Sequence, residues 1–194
     1  SSNSSFLREY CAQFTDGSDS YFSAKKMHDC TIPDGEKPNT LLKGDKDKQY
    51  ILAIDPSFSN SPSSDYFAMS ILELDEDSPN HSTLVHSYAV AGGDLKDHIK
   101  YLYYVVTHFN LALIIIDNAG YQFIDSANES ELFTSGRINI KFFDYNSDKS
   151  GLDYENMLLK AKQQYNKKEG VICFKQLFST TFLREANEYL QASI

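Results

Sequence analysis

Leu111-Ala112-Leu113-Ile114-Ile115-Ile116-Asp117 is apolar at every position until it stops at an aspartate. A run without polar alternation is the mark of a central strand covered on both faces. The residues before it read as a helix. Asp94 is a capping residue, and Leu95, Ile99, Leu102, Tyr103 and Val106 recur on one face at helical spacing until Asn110. Farther upstream, Tyr50-Ile51-Leu52-Ala53-Ile54-Asp55 is a second short apolar run, closed by Pro56. Ser57–Ser64 is a polar loop. A strand with partial alternation is expected within Asp65–Glu76, carrying Phe67, Met69, Ile71, Leu72 and Leu74. A turn over Asp75–His81 leads to a third strand, Ser82–Ala91, which ends at Gly92-Gly93. The connections among these three strands are too short for a crossover helix, so they predict an antiparallel meander.

Downstream of Asp117 the pattern predicts a short helix near Tyr121–Ser130 and an alternating strand over Ile138–Asp144. A longer amphipathic segment follows from Gly151 to Lys168 and is ended by Gly170. Val171–Phe174 is a short strand. Thr180–Ile194 is a last helix, with Phe182, Leu183, Ala186, Tyr189 and Leu190 expected on its buried side. The order β-β-β-α-β-α-β-α-β-α around a covered central strand predicts an α/β, ribonuclease H-like fold. Its mixed sheet joins an antiparallel three-strand meander to parallel strands and is flanked by helices. Residues 1–48 differ. They are rich in serine, include Pro33 and Pro38 and the charged stretch Lys43–Lys48, and show no sustained apolar period. They read as an irregular connecting arm, and 49–194 as the domain. The chain starts without a methionine and stops inside a helical pattern, so it reads as a piece of a longer protein whose domain is incomplete at its C-terminus.

The composition narrows the function. A chain of 194 residues that is 41% hydrophobic and 13% aromatic can bury a sizeable core, which rules out a fully disordered protein. The net charge is −9, with arginine only at Arg8, Arg137 and Arg184. A dedicated, tight, non-specific nucleic-acid binder is normally basic, so any contact with DNA is expected to be local, through a metal or with help from other domains. Lys160, Lys162, Lys167 and Lys168 suit the C-terminal end of a helix dipole, or else track phosphates. Cys11, Cys30 and Cys173 are odd in number and lack a C-x-x-C pair, which argues against a structural zinc site and a disulfide framework. His28, His81, His86, His98 and His108 have no ligand spacing, and surface or capping roles are expected for them. No P-loop and no G-x-S-x-G elbow is present. No apolar run approaches the roughly 18 residues of a membrane span.

Two aspartates carry the chemistry. Asp55 ends the first strand and Asp117 ends the central one. In this topology those strands are neighbours, so both carboxylates emerge side by side at one sheet edge. Close carboxylates repel, and a hard divalent cation with oxygen ligands resolves the repulsion. Two such ions roughly 3.5–4 Å apart would activate a water and stabilise the leaving oxygen of a phosphodiester. Asp65, at the start of the second strand, is a third candidate, binding metal directly or through water. A plainer reading stands beside this one: Asp-Pro and Asp-Asn after a strand are turn formers, and strand ends favour Asp.

Phe6-Leu7-Arg8-Glu9-Tyr10-Cys11-Ala12-Gln13-Phe14, followed by Tyr21-Phe22, resembles the segment joining ATPase and nuclease in large terminase subunits. Ile54-Asp55-Pro56-Ser57-Phe58-Ser59-Asn60, with Asp65 after it, resembles the first nuclease motif of that family. Leu113–Ile116 followed by Asp117-Asn118-Ala119-Gly120-Tyr121-Gln122 resembles the second. The resemblance implies a metal-dependent endonuclease from the packaging motor of a tailed bacteriophage or herpes-type virus, cutting concatemeric double-stranded DNA. It implies two divalent ions, Mg²⁺ or Mn²⁺, with Asp55 bridging both, Asp117 holding one, and Asp65 accessory. The implied partners are viral DNA, an upstream ATPase domain of the same polypeptide, the terminase small subunit and the portal protein. The implied location is the host cytoplasm, or the host nucleus for a herpes-type virus, with no membrane association. The family's third catalytic carboxylate lies on a helix near the domain's C-terminus. Asp153, Glu155, Glu185 and Glu188 are nearby acidic residues without that motif context. Two other readings remain: a non-catalytic docking or regulatory domain on the same fold, and another ribonuclease H-like nuclease such as a junction resolvase.

Overall fold

The computed structural model describes residues 24–29, 31–33, 35–37, 40–59, 61, 63, 65–75, 82–135, 138, 140–143, 159 and 170–193. The motif-like stretches 6–14 and 21–22 lie outside them, as does 151–168 apart from Leu159. The chain divides into two compact units, Asn39–Phe178 and Ser1–Pro38 with Ser179–Ile194. Among the described residues, no helix is long and apolar enough to cross a membrane.

The larger unit is built on a six-stranded sheet in the order β3-β2-β1-β4-β6-β5. Its strands are β1 (Tyr50–Asp55), β2 (Tyr66–Leu74), β3 (Ser82–Ala91), β4 (Leu111–Asp117), β5 (Ile140–Phe143) and β6 (Val171–Gln176). β1, β2 and β3 form the antiparallel meander expected from their short connections. β4 pairs parallel with β1, β6 with β4, and β5 with β6. The sheet is therefore mixed and ribonuclease H-like, with β1 and β4 at its centre.

One face of the sheet makes the main core. Tyr50, Leu52 and Ile54 alternate inward along β1, as do Phe67, Met69 and Ile71 along β2. They meet Ile114 and Ile116 of β4 and the apolar stripe of α2 (Leu95–His108), whose Leu102 and Val105 are fully buried. The Asp94 carboxylate caps α2 by accepting from the Lys96 amide at 2.9 Å, as the sequence predicts. Phe123, Ile124 and Ala127 of α3 (Tyr121–Glu129) and Phe133 of α4 (Glu131–Thr134) complete this layer. Leu41 packs on the same core, and its amide donates to the Val85 carbonyl at 2.8 Å. The opposite face carries a smaller cluster of Leu113, Ile172 and Phe174 with Ile51 and Ile115.

Two of the histidines are not at the surface, contrary to expectation. His86 and His98 are both buried. A one-residue irregularity between Ile71 and Leu72 pairs Ile71 with His86 and turns that ring inward. His86 Nδ1–H donates to the Leu41 carbonyl at 2.7 Å, which leaves Nε2 to accept from the Tyr101 hydroxyl. His98 lies flat against Phe67 with ring centroids 4.1 Å apart, and its Nδ1 meets the Tyr88 hydroxyl at 2.9 Å. Burial outweighs the pull of Asp97 and Asp94 and lowers the His98 pKa. His108 does sit at the surface, in the last turn of α2, with Nδ1 2.8 Å from the Tyr104 carbonyl.

In the smaller unit, the described helices are α1 (Ala24–Asp29) and α5 (Thr180–Ser193). The period of α5 predicts the helix correctly but not its burial. Phe182 is half-buried, while Leu183, Ala186, Tyr189 and Leu190 are exposed. Glu185 and Glu188 are also exposed on α5, with Glu188 facing Arg184 at 3.9 Å.

Candidate functional site

The site is set by how β1 and β4 run side by side. At their entry, the Asn110 side-chain amide donates to the carbonyls of Lys46 and Lys48 at 3.3 and 2.8 Å, and the Tyr50 amide donates to the Asn110 carbonyl at 3.0 Å. Tyr50 stands opposite Leu111, but Ile51 stands opposite Leu113, so Ala112 is an extra residue in β4. From there the strands stay in step through Ile54 and Ile116. Asp55 and Asp117 are each the next residue. Neighbouring strands lie about 4.8 Å apart, so these two aspartates are adjacent at the carboxyl edge of the sheet.

Alternation places both on one face. Ile54 and Ile116 point into the main core, so Asp55 and Asp117 belong to the other face, in line with Ile51, Leu113 and Ile115. Asp55 is exposed and Asp117 half-buried. An apolar floor below and open solvent beyond suit a charged site at a strand end.

Asp65 is placed differently. Asp55 pairs with Ala68 of β2, and Asp65 precedes the first residue of that strand. Three residues of extended chain separate Asp65 from Ala68, or about 10 Å along the sheet. Asp65 is exposed at the same end of the sheet, outside the pair. Among the described residues, no group of three or more His, Cys, Asp or Glu is gathered closely enough to hold a metal ion. Asp153 and Glu155 lie outside the described residues.

Gln176 carries no site signal in the sequence. It pairs with Asp117 across β4 and β6, and it is 5% exposed. Its Nε2 donates to the Leu177 carbonyl at 2.9 Å. A glutamine at the end of an apolar run carries no motif, and only the register brings it beside an aspartate.

The donor set fits a hard divalent cation in part. Two carboxylates on adjacent strand ends supply oxygen ligands and a negative charge that a cation neutralises. A closed set for two ions needs donors beyond this pair.

No protein-family model matches the chain, and no curated protein matches it. Among solved structures, the chain is similar to the large terminase nuclease from the thermophilic phage G20c, at 15% identity and a TM-score of 0.38, over 80% of this chain and 74% of that one. It is likewise similar to the large terminase nuclease from that phage with bound magnesium, at 15% identity and a TM-score of 0.37, over 80% of this chain and 73% of the other.

Proposed function

We propose that this chain is the metal-dependent endonuclease domain of a viral DNA-packaging terminase, cutting concatemeric double-stranded DNA by phosphodiester hydrolysis. The observation that carries the proposal is the pairing of Asp55 and Asp117 on one face at the carboxyl ends of two central parallel strands. Each ends an apolar strand and opens a stretch resembling a terminase nuclease motif, Asp55-Pro56-Ser57 and Asp117-Asn118-Ala119-Gly120.

In this reading Asp55 and Asp117 hold divalent metal, Mg²⁺ or Mn²⁺, with Asp65 accessory at the rim. A metal held by these carboxylates would supply an activated water and offset charge on the phosphodiester. The protein's part is to hold two repelling carboxylates at a fixed spacing on rigid strands. The proposed partners are viral duplex DNA, an upstream ATPase domain, the small terminase subunit and the portal, in the host cytoplasm or nucleus.

Supercoiled plasmid incubated with the purified chain and Mn²⁺ tests the proposal. Nicked and linear products from the wild type, and none from Asp55→Asn, are expected. Cleavage retained in the purified variant counts against Asp55 as a ligand.

A non-catalytic docking domain on the same fold is the second reading. The net charge of −9 and the lack of a three-carboxylate group among the described residues favour it. It predicts no cleavage by the wild type in Mn²⁺ or Mg²⁺.

A further inference from the structure

The loops that follow Asp55 and Asp117 meet where Pro56 faces Gly120. Pro56 follows Asp55 directly, and Gly120 closes the 3-10 turn Asn118–Gly120 that follows Asp117. A Cβ built on Gly120 would overlap the Pro56 Cγ outright and lie 2.9 Å from its Cδ and 3.0 Å from its Cβ. Backbone conformation does not explain the glycine. Gly120 has φ −88° and ψ 10°, which other residues adopt. Space explains it: Gly120 is buried, and the missing side chain is what lets the Pro56 ring seat.

The partner's chemistry matters as well. A long side chain would swing away from an added methyl group, but a pyrrolidine ring is closed onto its own backbone and cannot. Any atom added at Gly120 must therefore push two backbones apart. One of them is bonded directly to Asp55, and the other reaches Asp117 through a single tight turn. On the strand side, the distance between the aspartates is set by the β1–β4 ladder. On the loop side, the Pro56 ring seated against Gly120 joins the two segments.

We infer that Pro56 and Gly120 interlock to set the spacing of the Asp55 and Asp117 carboxylates, acting as a positioning pair for divalent metal. This inference rests on the metal-site reading above. It adds two residues that bear no ligand atom in their side chains and gives each a reason for its identity.

A double-mutant cycle tests it with Gly120→Ala, Pro56→Gly and the combination, alongside the wild type. Two quantities are read: Mn²⁺ affinity by titration calorimetry, and the thermal midpoint in EDTA. Gly120→Ala is expected to weaken Mn²⁺ binding at least about tenfold, because a sub-ångström displacement is costly at a metal site. It is expected to lower the midpoint by roughly 3 °C through overpacking. Adding Pro56→Gly removes the ring, and the double variant is expected to bind Mn²⁺ within about twofold of Pro56→Gly alone. Unchanged affinity in Gly120→Ala, or a loss that persists in the double variant, overturns the inference. If Gly120→Ala does not fold, recovery of folding and Mn²⁺ binding in the double variant supports it, and failure to recover overturns it. A wild type that binds no Mn²⁺ defeats the metal-site reading. The thermal cycle then still judges the interlock, which is overturned if Pro56→Gly does not restore the midpoint.

Discussion

Asp55 lies beside Asp117 because β4 carries one more residue than β1 at the start of their pairing. Ala112 is that residue, set between the Tyr50–Leu111 and Ile51–Leu113 pairs. Were Ile51 paired with Ala112 instead, Asp55 would stand opposite Ile116, and the two carboxylates would fall on opposite faces of the sheet. The Asn110 amide, bonded to the Lys46 and Lys48 carbonyls, pins this register at the far end of the strands. A side chain at one end of the sheet thus helps align charges at the other.

The first prediction concerns the cost of that alignment. Two adjacent carboxylates repel when no cation lies between them, so Asp55→Asn relieves strain in the metal-free protein. Its thermal midpoint in EDTA is expected to equal or exceed that of the wild type. Mn²⁺ is expected to raise the wild-type midpoint and leave the variant's unchanged. Scanning fluorimetry of both proteins, with and without Mn²⁺, makes the comparison. An equal rise in both contradicts the assignment.

A second prediction addresses DNA. With a net charge of −9 and arginine at only three positions, the chain neutralises few phosphates, and duplex affinity grows steeply with that number. Weak duplex binding by the isolated chain is expected, with placement on DNA left to the proposed ATPase domain and partner subunits. An anisotropy titration in Ca²⁺ measures it. Tight binding that persists at physiological salt contradicts it.

Acid sensitivity gives a third. His98 is enclosed by Phe67, Tyr88 and Gly93, and a Cβ on Gly93 would stand 2.5 Å from its Cε1. Burial holds its pKa below the ordinary value, against the raising influence of Asp97 and Asp94. Below about pH 6.5 the unfolded chain therefore binds a proton that the folded chain resists. Stability falls as pH drops from about 6.5 toward the folded-state pKa, and above that window this group adds no pH dependence. His98→Phe keeps a ring against Phe67 and removes the titration. The fall in thermal midpoint between pH 7.5 and 5.5 is expected to be smaller in the variant, and an equal fall in both refutes the role.

Packing supplies a fourth. Leu102 is fully buried between α2 and the sheet, whereas Leu84 on β3 is 56% exposed. Leu102→Ala is expected to cost about 2–5 kcal/mol. Leu84→Ala is expected to stay within about 0.5 kcal/mol of the wild type. Urea unfolding of the two variants gives both values.

Much of this fold was legible because its strands are short apolar runs with hard stops. Tyr50–Asp55, Ser82–Ala91 and Leu111–Asp117 end at Pro56, Gly92 and Asn118, and Asp94 marks the start of α2. The neighbouring strand ends of Asp55 and Asp117 followed from topology. Their shared face did not, because it hangs on an extra residue within an apolar run, where no polar residue marks the face. The sequence does not mark His86 and His98 as buried, because their partners, Leu41, Tyr101, Tyr88 and Phe67, are remote in sequence or on another element. Gln176 was invisible for the same reason. In α5, helical period revealed the helix but not whether its apolar stripe is covered.

The central claim is that Asp55 and Asp117 hold divalent metal together. A crystal of the chain soaked in Mn²⁺ and measured at the manganese absorption edge tests it most directly. The account predicts an anomalous peak about 2 Å from carboxylate oxygens of both Asp55 and Asp117. Anomalous density elsewhere, with the two carboxylates turned apart and metal-free, would contradict it.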